Sequence, residues 1–201
     1  MKASLRRFFT PLGMVQCRPD YLTNIIKTVS RLYQGITLNG FSVSFVRFDV
    51  DDFSRFNSRH GRETGDRVLV AIASKLKESS RPTDYVIRFG GKEFDVLLPG
   101  TRREGAETYT RKIFEKIERM SVSHEDDSLR VMVSAGISMI DFTLPEKMVI
   151  DEKAVADSFV RLQAEAEDAL YDAKYQGKSR FCFYSPDKKE EYLKIRKLYV
   201  E

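Results

Sequence analysis

Apolar residues fall into two rhythms along this chain. From Asp20, the positions Leu22, Ile25, Ile26, Val29, Leu32 and Tyr33 recur every three or four residues, which predicts a first helix over about 20–34. The run from Phe41 to Val50 is rich in Phe and Val and reads as a buried strand that ends among the carboxylates Asp49, Asp51 and Asp52. A loop or short helix through Asn57 and Gly61 follows. Val68, Leu69, Ile72 and Leu76 then mark one face of a helix from about Gly65 to Ser79. Further helices are expected from about Arg103 to Met120 and from about Glu152 to Gln176, with Gly177 at the C-cap. Strands are expected at Leu129 to Ile140 and, as a last edge, at Phe181 to Tyr184.

Between these elements, Val86-Ile87 and Phe94 with Val96-Leu97-Leu98 flank Arg88-Phe89-Gly90-Gly91-Lys92-Glu93. Two apolar β-forming runs around adjacent glycines predict a tight hairpin, with the glycines supplying positive φ. Its tip carries Lys92 and Glu93, which suits a phosphate site or simply faces solvent, and the turn alone leaves both readings open. Strands alternating with helices around one hairpin imply an α/β domain with a central sheet of about five strands and helices packed on it. Residues 1–18 form an irregular basic lead-in, 19–184 the domain, and 185–201 a charged tail. In the tail, Tyr192, Ile195 and Tyr199 share a side, as in a docked extra helix, although a frayed end or an oligomer contact fits the same pattern.

Composition narrows the function classes. The chain has 201 residues, 42% hydrophobic and 32% charged, ordinary for one globular domain. Its 34 basic and 30 acidic residues leave a charge of +4, too mild to argue for nucleic acid and compatible with a small anionic ligand. Cys17 and Cys182 have no metal-ligand spacing and do not describe a disulfide framework, so a cytoplasmic setting is expected. No apolar stretch approaches the length of a membrane span.

Asp49-Val50-Asp51 at a strand end offers hard oxygen ligands of the kind Mg²⁺ takes beside substrate phosphates, although such aspartates also serve as turn formers and caps. Phe53, Asn57 and Asp66 offer an aromatic ring, an amide and a carboxylate able to read a purine edge. Lys174 and Lys178 are four apart at the end of the last long helix, where they would share a face and hold phosphates, or would simply form a solvated last turn.

Taken in order, these segments resemble the GGDEF domain family, the diguanylate cyclases and their degenerate relatives. The resemblance spans about residues 12–184. It rests on Asp49 to Phe53 with Asn57, Gly61 and Gly65-Asp66, and on Arg88 to Phe94 as the signature hairpin. Val133-Ser134-Ala135-Gly136-Ile137 matches the family's later strand, and Ala169 to Lys174 with Gly177-Lys178 its last helix. The resemblance implies the palm-like α/β fold of nucleotide cyclases, in which two protomers condense two GTP molecules into cyclic di-GMP. Asp49 and the Val50 carbonyl would ligate Mg²⁺ when nucleotide is bound, with Asp51 as a further candidate. Phe53, Asn57 and Asp66 would hold guanine, and Lys174 and Lys178 the phosphates. A homodimer, or a fused or partner signalling domain, would complete the assembly.

The chain departs from the family at the third signature residue, where active members carry Asp or Glu as a metal ligand and this chain has Lys92. An ammonium cannot coordinate Mg²⁺ and instead suits an ion pair with Asp49. Ser54 also replaces a common phosphate-contacting lysine, and the entry motif is reduced to Pro11-Leu12-Gly13 with Arg18. Arg81-Pro82-Thr83-Asp84 keeps the register of the family's RxxD product-binding site. Arginine there can pair with phosphate and stack on guanine, while aspartate accepts from the guanine edge. The expected function is therefore a degenerate GGDEF domain that binds cyclic di-GMP through Arg81, Asp84 and Arg88 and keeps little or no cyclase activity. GTP at the old active site remains compatible with this reading. Two alternatives stand beside it: a working or weak diguanylate cyclase in which Asp49, Asp51 or Glu93 rearranges around metal, and an interaction module that uses neither nucleotide.

Overall fold

The computed structural model describes residues 15–16, 41–124, 127–142 and 152–200. The helix expected over 20–34, most of the lead-in, Arg18 and Cys17 lie outside the described residues. In chain order the elements are β1 (Val15–Gln16), β2 (Phe41–Val50), α1 (Phe53–His60), α2 (Arg62–Ser79), β3 (Tyr85–Arg88) and β4 (Glu93–Pro99). They continue with α3 (Arg103–Glu118), β5 (Val122–His124), β6 (Asp127–Leu129) and β7 (Val133–Phe142). The chain finishes with α4 (Glu152–Tyr175), β8 (Phe181–Phe183) and α5 (Lys189–Val200).

The apolar run Phe41–Val50 lies at the centre because both of its faces are covered. β2 pairs antiparallel with β4 on one side and with β7 on the other. The sheet order is β1-β3-β4-β2-β7-β8, the expected sheet with a two-residue strand added at one edge. On one face, Val46, Phe48 and Val50 join Phe94, Val96 and Ile137 in a core completed by Val68 and Ile72 of α2 and Ile113 of α3. On the other, Val43, Phe45, Ile87 and Leu97 meet Phe159, Leu162 and Ala166 of α4. Each such fully buried side chain contributes roughly 1.5–3 kcal/mol relative to exposure.

Two local expectations are corrected, and one left open is decided. Gly90 and Gly91 do not adopt the positive φ expected of a two-residue turn, and the hairpin loop runs over Phe89–Lys92. A Cβ at Gly90 would fall 2.7 Å from the Glu93 carboxylate, the movable end of a long side chain. The strand expected at 129–140 is two strands. Leu129 closes the separate β5-β6 hairpin, and β7 starts only at Val133, after the Met132 carbonyl has accepted the Asp51 N–H at 2.9 Å. The tail, left open by its pattern, is helix α5, packed on α4 with Tyr192 and Ile195 buried.

Candidate functional site

Residues of one parity along β2 face α4, and the last of them, Asp49, is buried at the strand end. In register, Asp49 stands beside Glu93 of β4 and Ser134 of β7. Lys174, from the last turn of α4, reaches its Oδ1 at 2.9 Å, and Lys92, from the hairpin, reaches the same oxygen at 3.2 Å. The Lys92–Asp49 ion pair expected from the sequence is therefore present, and a second lysine joins it. The other oxygen, Asp49 Oδ2, is buried and has no hydrogen-bond partner among the described residues. Glu93 is half-buried, and burial, reinforced by the charge of Asp49, pushes its carboxyl above the ordinary range against the pull of Arg47 and Lys174.

Lys178 is not where helical spacing put it. α4 stops at Tyr175, and Gly177, at φ 111°, ends it in a Schellman arrangement, with Lys178 N–H donating to Ala173 O and Gly177 N–H to Lys174 O. Lys178 lies beyond this stop, at φ 63°, and pairs with Asp52 at 2.7 Å instead of sharing a face with Lys174. That hydrogen bond lowers the pKa of Asp52 and raises that of Lys178. Asp52 (φ 52°), Lys178 and Ser179 (φ 49°) are the described non-glycine residues at positive φ, and all three gather at this end of the sheet. Local strain of this kind concentrates where a fold holds side chains for function.

Asp51 does not join Asp49. Ser134 Oγ donates to both of its oxygens at 2.8 and 2.9 Å, and the Ser179 N–H donates to Oδ2 at 3.1 Å. Burial pushes its pKa up, and these hydrogen bonds oppose the shift. It fastens the strand-end loop to β7 and to the segment after α4.

Phe53 is buried in the core and stacked on Phe56, while Asp66 is exposed near the start of α2. Asn57 lies between them, and its Oδ1 is buried without a donor among the described residues. A Cβ at Gly65 would stand 1.9 Å from that oxygen, so the glycine of Gly65-Asp66 makes room for the Asn57 amide. In the Arg81–Asp84 turn, the Arg81 N–H donates to Asp84 Oδ2 at 2.7 Å and the Asp84 N–H to Arg81 O at 3.0 Å. Burial raises the Asp84 pKa, and Oδ1 is again a buried acceptor without a donor among the described residues. Arg88 is not gathered with this turn. It lies at the far end of β3, about 13 Å along the strand, and its guanidinium binds Gly90 O at 3.2 Å and Gly91 O at 2.7 Å.

The sequence reading missed Arg47. Its guanidinium is buried, bound to Asp95 at 2.8 and 2.9 Å, and lies 4.1 Å from the centre of the Phe89 ring in the hairpin loop. Burial works against its charge, yet the Asp95 hydrogen bonds and attraction more than compensate and hold its pKa above the usual value. A charged residue inside a strand otherwise buried on both faces was the available signal.

Mg²⁺ is the metal the resemblance implies when nucleotide is bound, and Asp49 Oδ2, buried and unpartnered among the described residues, is the oxygen left to hold it. Asp49 Oδ1 already meets two ammonium groups, Asp51 is held by Ser134 and Ser179, and position 92 supplies a cation. No group of three His, Cys, Asp or Glu able to hold a metal is found among the described residues.

A mixed sheet with helices on both faces, a strand-end carboxylate and an adjoining hairpin define an α/β domain of the nucleotide-cyclase type. Within that class the chain belongs to the GGDEF domain family, whose profile, "Diguanylate cyclase, GGDEF domain", matches residues 23–180. It is 30% identical over 139 residues to diguanylate cyclase A of Treponema denticola, covering 69% of this chain but only 34% of that protein. Among solved structures it resembles diguanylate cyclase SiaD, crystallised with its activator SiaC, from Pseudomonas aeruginosa. The TM-score is 0.69 at 26% identity, covering 87% of this chain and 60% of that one. It also shares the fold of the GGDEF domain of DgcB from Caulobacter crescentus, crystallised with c-di-GMP. Here the TM-score is 0.71 at 19% identity, covering 92% of this chain and 99% of that one. No described helix is long and apolar enough to cross a membrane.

Proposed function

We propose that this chain is a degenerate GGDEF domain in cyclic di-GMP signalling, with little or no cyclase activity, that serves as a nucleotide receptor. The observation that carries the loss of catalysis is Lys92 Nζ at 3.2 Å from Asp49 Oδ1, with Lys174 at 2.9 Å on the same oxygen. A carboxylate at position 92 would add a hard ligand beside Asp49, whereas the ammonium neutralises the ligand already there. Lys174 and Lys178 bring positive charge for phosphates to the strand end.

Retained binding is supported by the orphaned acceptors. Asp49 Oδ2, Asn57 Oδ1 and Asp84 Oδ1 are the buried side-chain polar atoms without a partner among the described residues, and all three belong to residues singled out from sequence. Unsatisfied buried acceptors are rare in folded proteins and call for a donor. In this reading, Asn57 and Asp66 take the guanine edge of GTP. Arg81 and Asp84 take cyclic di-GMP, the arginine through phosphate and the carboxylate through guanine N–H groups. Arg88, spent on the hairpin carbonyls, has a structural part. The receptor acts as a homodimer or beside a fused or partner signalling domain.

The test combines turnover and calorimetry. Wild-type protein incubated with GTP and Mg²⁺ is expected to yield no cyclic di-GMP, and Lys92→Asp to restore formation. Cyclic di-GMP is expected to bind the wild type, and Arg81→Ala to weaken it by tenfold or more, in line with the loss of a charge-assisted contact of about 1.5–3 kcal/mol. Turnover by the wild type overturns the first half of the proposal, and absence of binding heat overturns the second.

A further inference from the structure

We propose that a second ligand site, separate from the nucleotide positions, lies on the opposite face of the sheet and takes a small organic anion with an apolar body. A cavity of about 640 Å³ opens between α1, the C-terminal end of α3 and the segment joining β6 to β7. That volume is within the roughly 300–1,000 Å³ of small-molecule pockets. Asp49, Lys92 and Lys174 do not line it, although Asp51 and Asp52 of the strand-end loop and Ser179 border it. The first three meet on the face covered by α4, whereas this cavity is floored by Ile117, Val131 and Val133 of the core between the sheet and α2 and α3.

The floor is apolar and firmly held. Phe56 and Phe114 pack partly buried against the core, and Met132, 58% exposed, stands at the mouth with its backbone oxygen fixed by Asp51 N–H. The rim is cationic. Arg55 and Arg59 stand one helical turn apart on α1, and Arg130 faces the cavity from the segment before β7. Arg59 and Arg130 enter no hydrogen bond or ion pair among the described residues. Of the lining carboxylates, Asp51 is held by Ser134 and Ser179, and Asp52 is paired with Lys178. Neutral donors leave the charge of Asp51 in place, so Asp51 and Glu118 stand against three guanidinium groups, with Arg55 also attracted to Asp52. Guanidinium forks match carboxylate, sulfonate and phosphate oxygens, and an apolar floor beneath them selects an anion with a hydrophobic body over inorganic phosphate.

The full chain titrated with 8-anilinonaphthalene-1-sulfonate, read by fluorescence, tests this. The expected result is saturable binding of one probe per chain, undisturbed by saturating cyclic di-GMP. Binding should weaken about tenfold or more in an Arg59→Glu/Arg130→Glu double variant of unchanged melting temperature, and for the uncharged analogue N-phenyl-1-naphthylamine. Should the double variant fold poorly, Met132→Asp, at an exposed position, is expected to weaken the probe similarly. Non-saturable fluorescence, an unchanged affinity in the folded variants, equal affinity for the neutral analogue, or displacement by cyclic di-GMP overturns the proposal.

Discussion

At the residue scale, two positions show how one side chain, or its lack, controls this end of the sheet. Lys92 brings a positive charge to a buried carboxylate that already has Lys174, so the local charge balance differs from that of a domain with an acidic residue there. Gly136 works by absence. A Cβ built on it would meet Ala166 O at 1.9 Å and Leu170 N at 2.3 Å, both backbone atoms of α4, which cannot swing aside as a side chain can. Gly136→Ala is therefore expected to force α4 away from β7 and to cost about 3 kcal/mol, the upper part of the usual overpacking range. Urea denaturation measures this, and a loss below about 0.5 kcal/mol would mean that the close approach is not maintained in solution.

Among elements, α5 binds the end of the chain to the helix that carries Lys174. Tyr192 is 1% exposed, stacks on Tyr184 with ring centres 5.4 Å apart, and accepts the Ser185 N–H at 3.0 Å. Ile195 is buried beside it, and Lys188 reaches Asp172 of α4 at 3.2 Å. Tyr192→Ala removes a fully buried aromatic ring and is expected to destabilise the protein by about 3 kcal/mol. Leu198→Ala, at a position 68% exposed, should change stability by less than about 0.5 kcal/mol. Comparable small losses in both variants would show α5 to be peripheral to the fold.

For the whole molecule, the carboxyl shifts that burial causes share a direction. Asp51, Asp84, Glu93, Asp95, Glu165 and Asp168 all have raised pKa values, burial being the largest cause in each. Only the exposed Asp52 is shifted down among the described carboxyls. A carboxyl whose native pKa lies above its unfolded value binds its proton more tightly when folded. Its contribution is full below the ordinary carboxylate range, about pH 4, and is lost as pH rises through the raised native values. Stability is thus expected to be higher near pH 4 than at neutral pH. Thermal melts across that interval check the sign, and a melting temperature that climbs toward neutrality would contradict it.

Much of this protein was legible in its sequence because local pattern suffices for the main elements. The apolar run at β2, the helical spacing of α2 and α4, and the glycine stop after α4 depend on neighbours close in the chain. The Asp49–Lys92 pair was legible because charge type at a family position fixes chemistry. Tertiary structure decided what distance along the chain conceals. It put Lys174 beside Lys92 and sent Lys178 to Asp52, because Gly177 turned the chain out of the helix. It spent Asp51 on Ser134, 83 positions away, and buried Arg47 against Asp95. It also opened the cavity behind the strand end. Such contacts depend on packing between elements, and periodicity along the chain carries no trace of them.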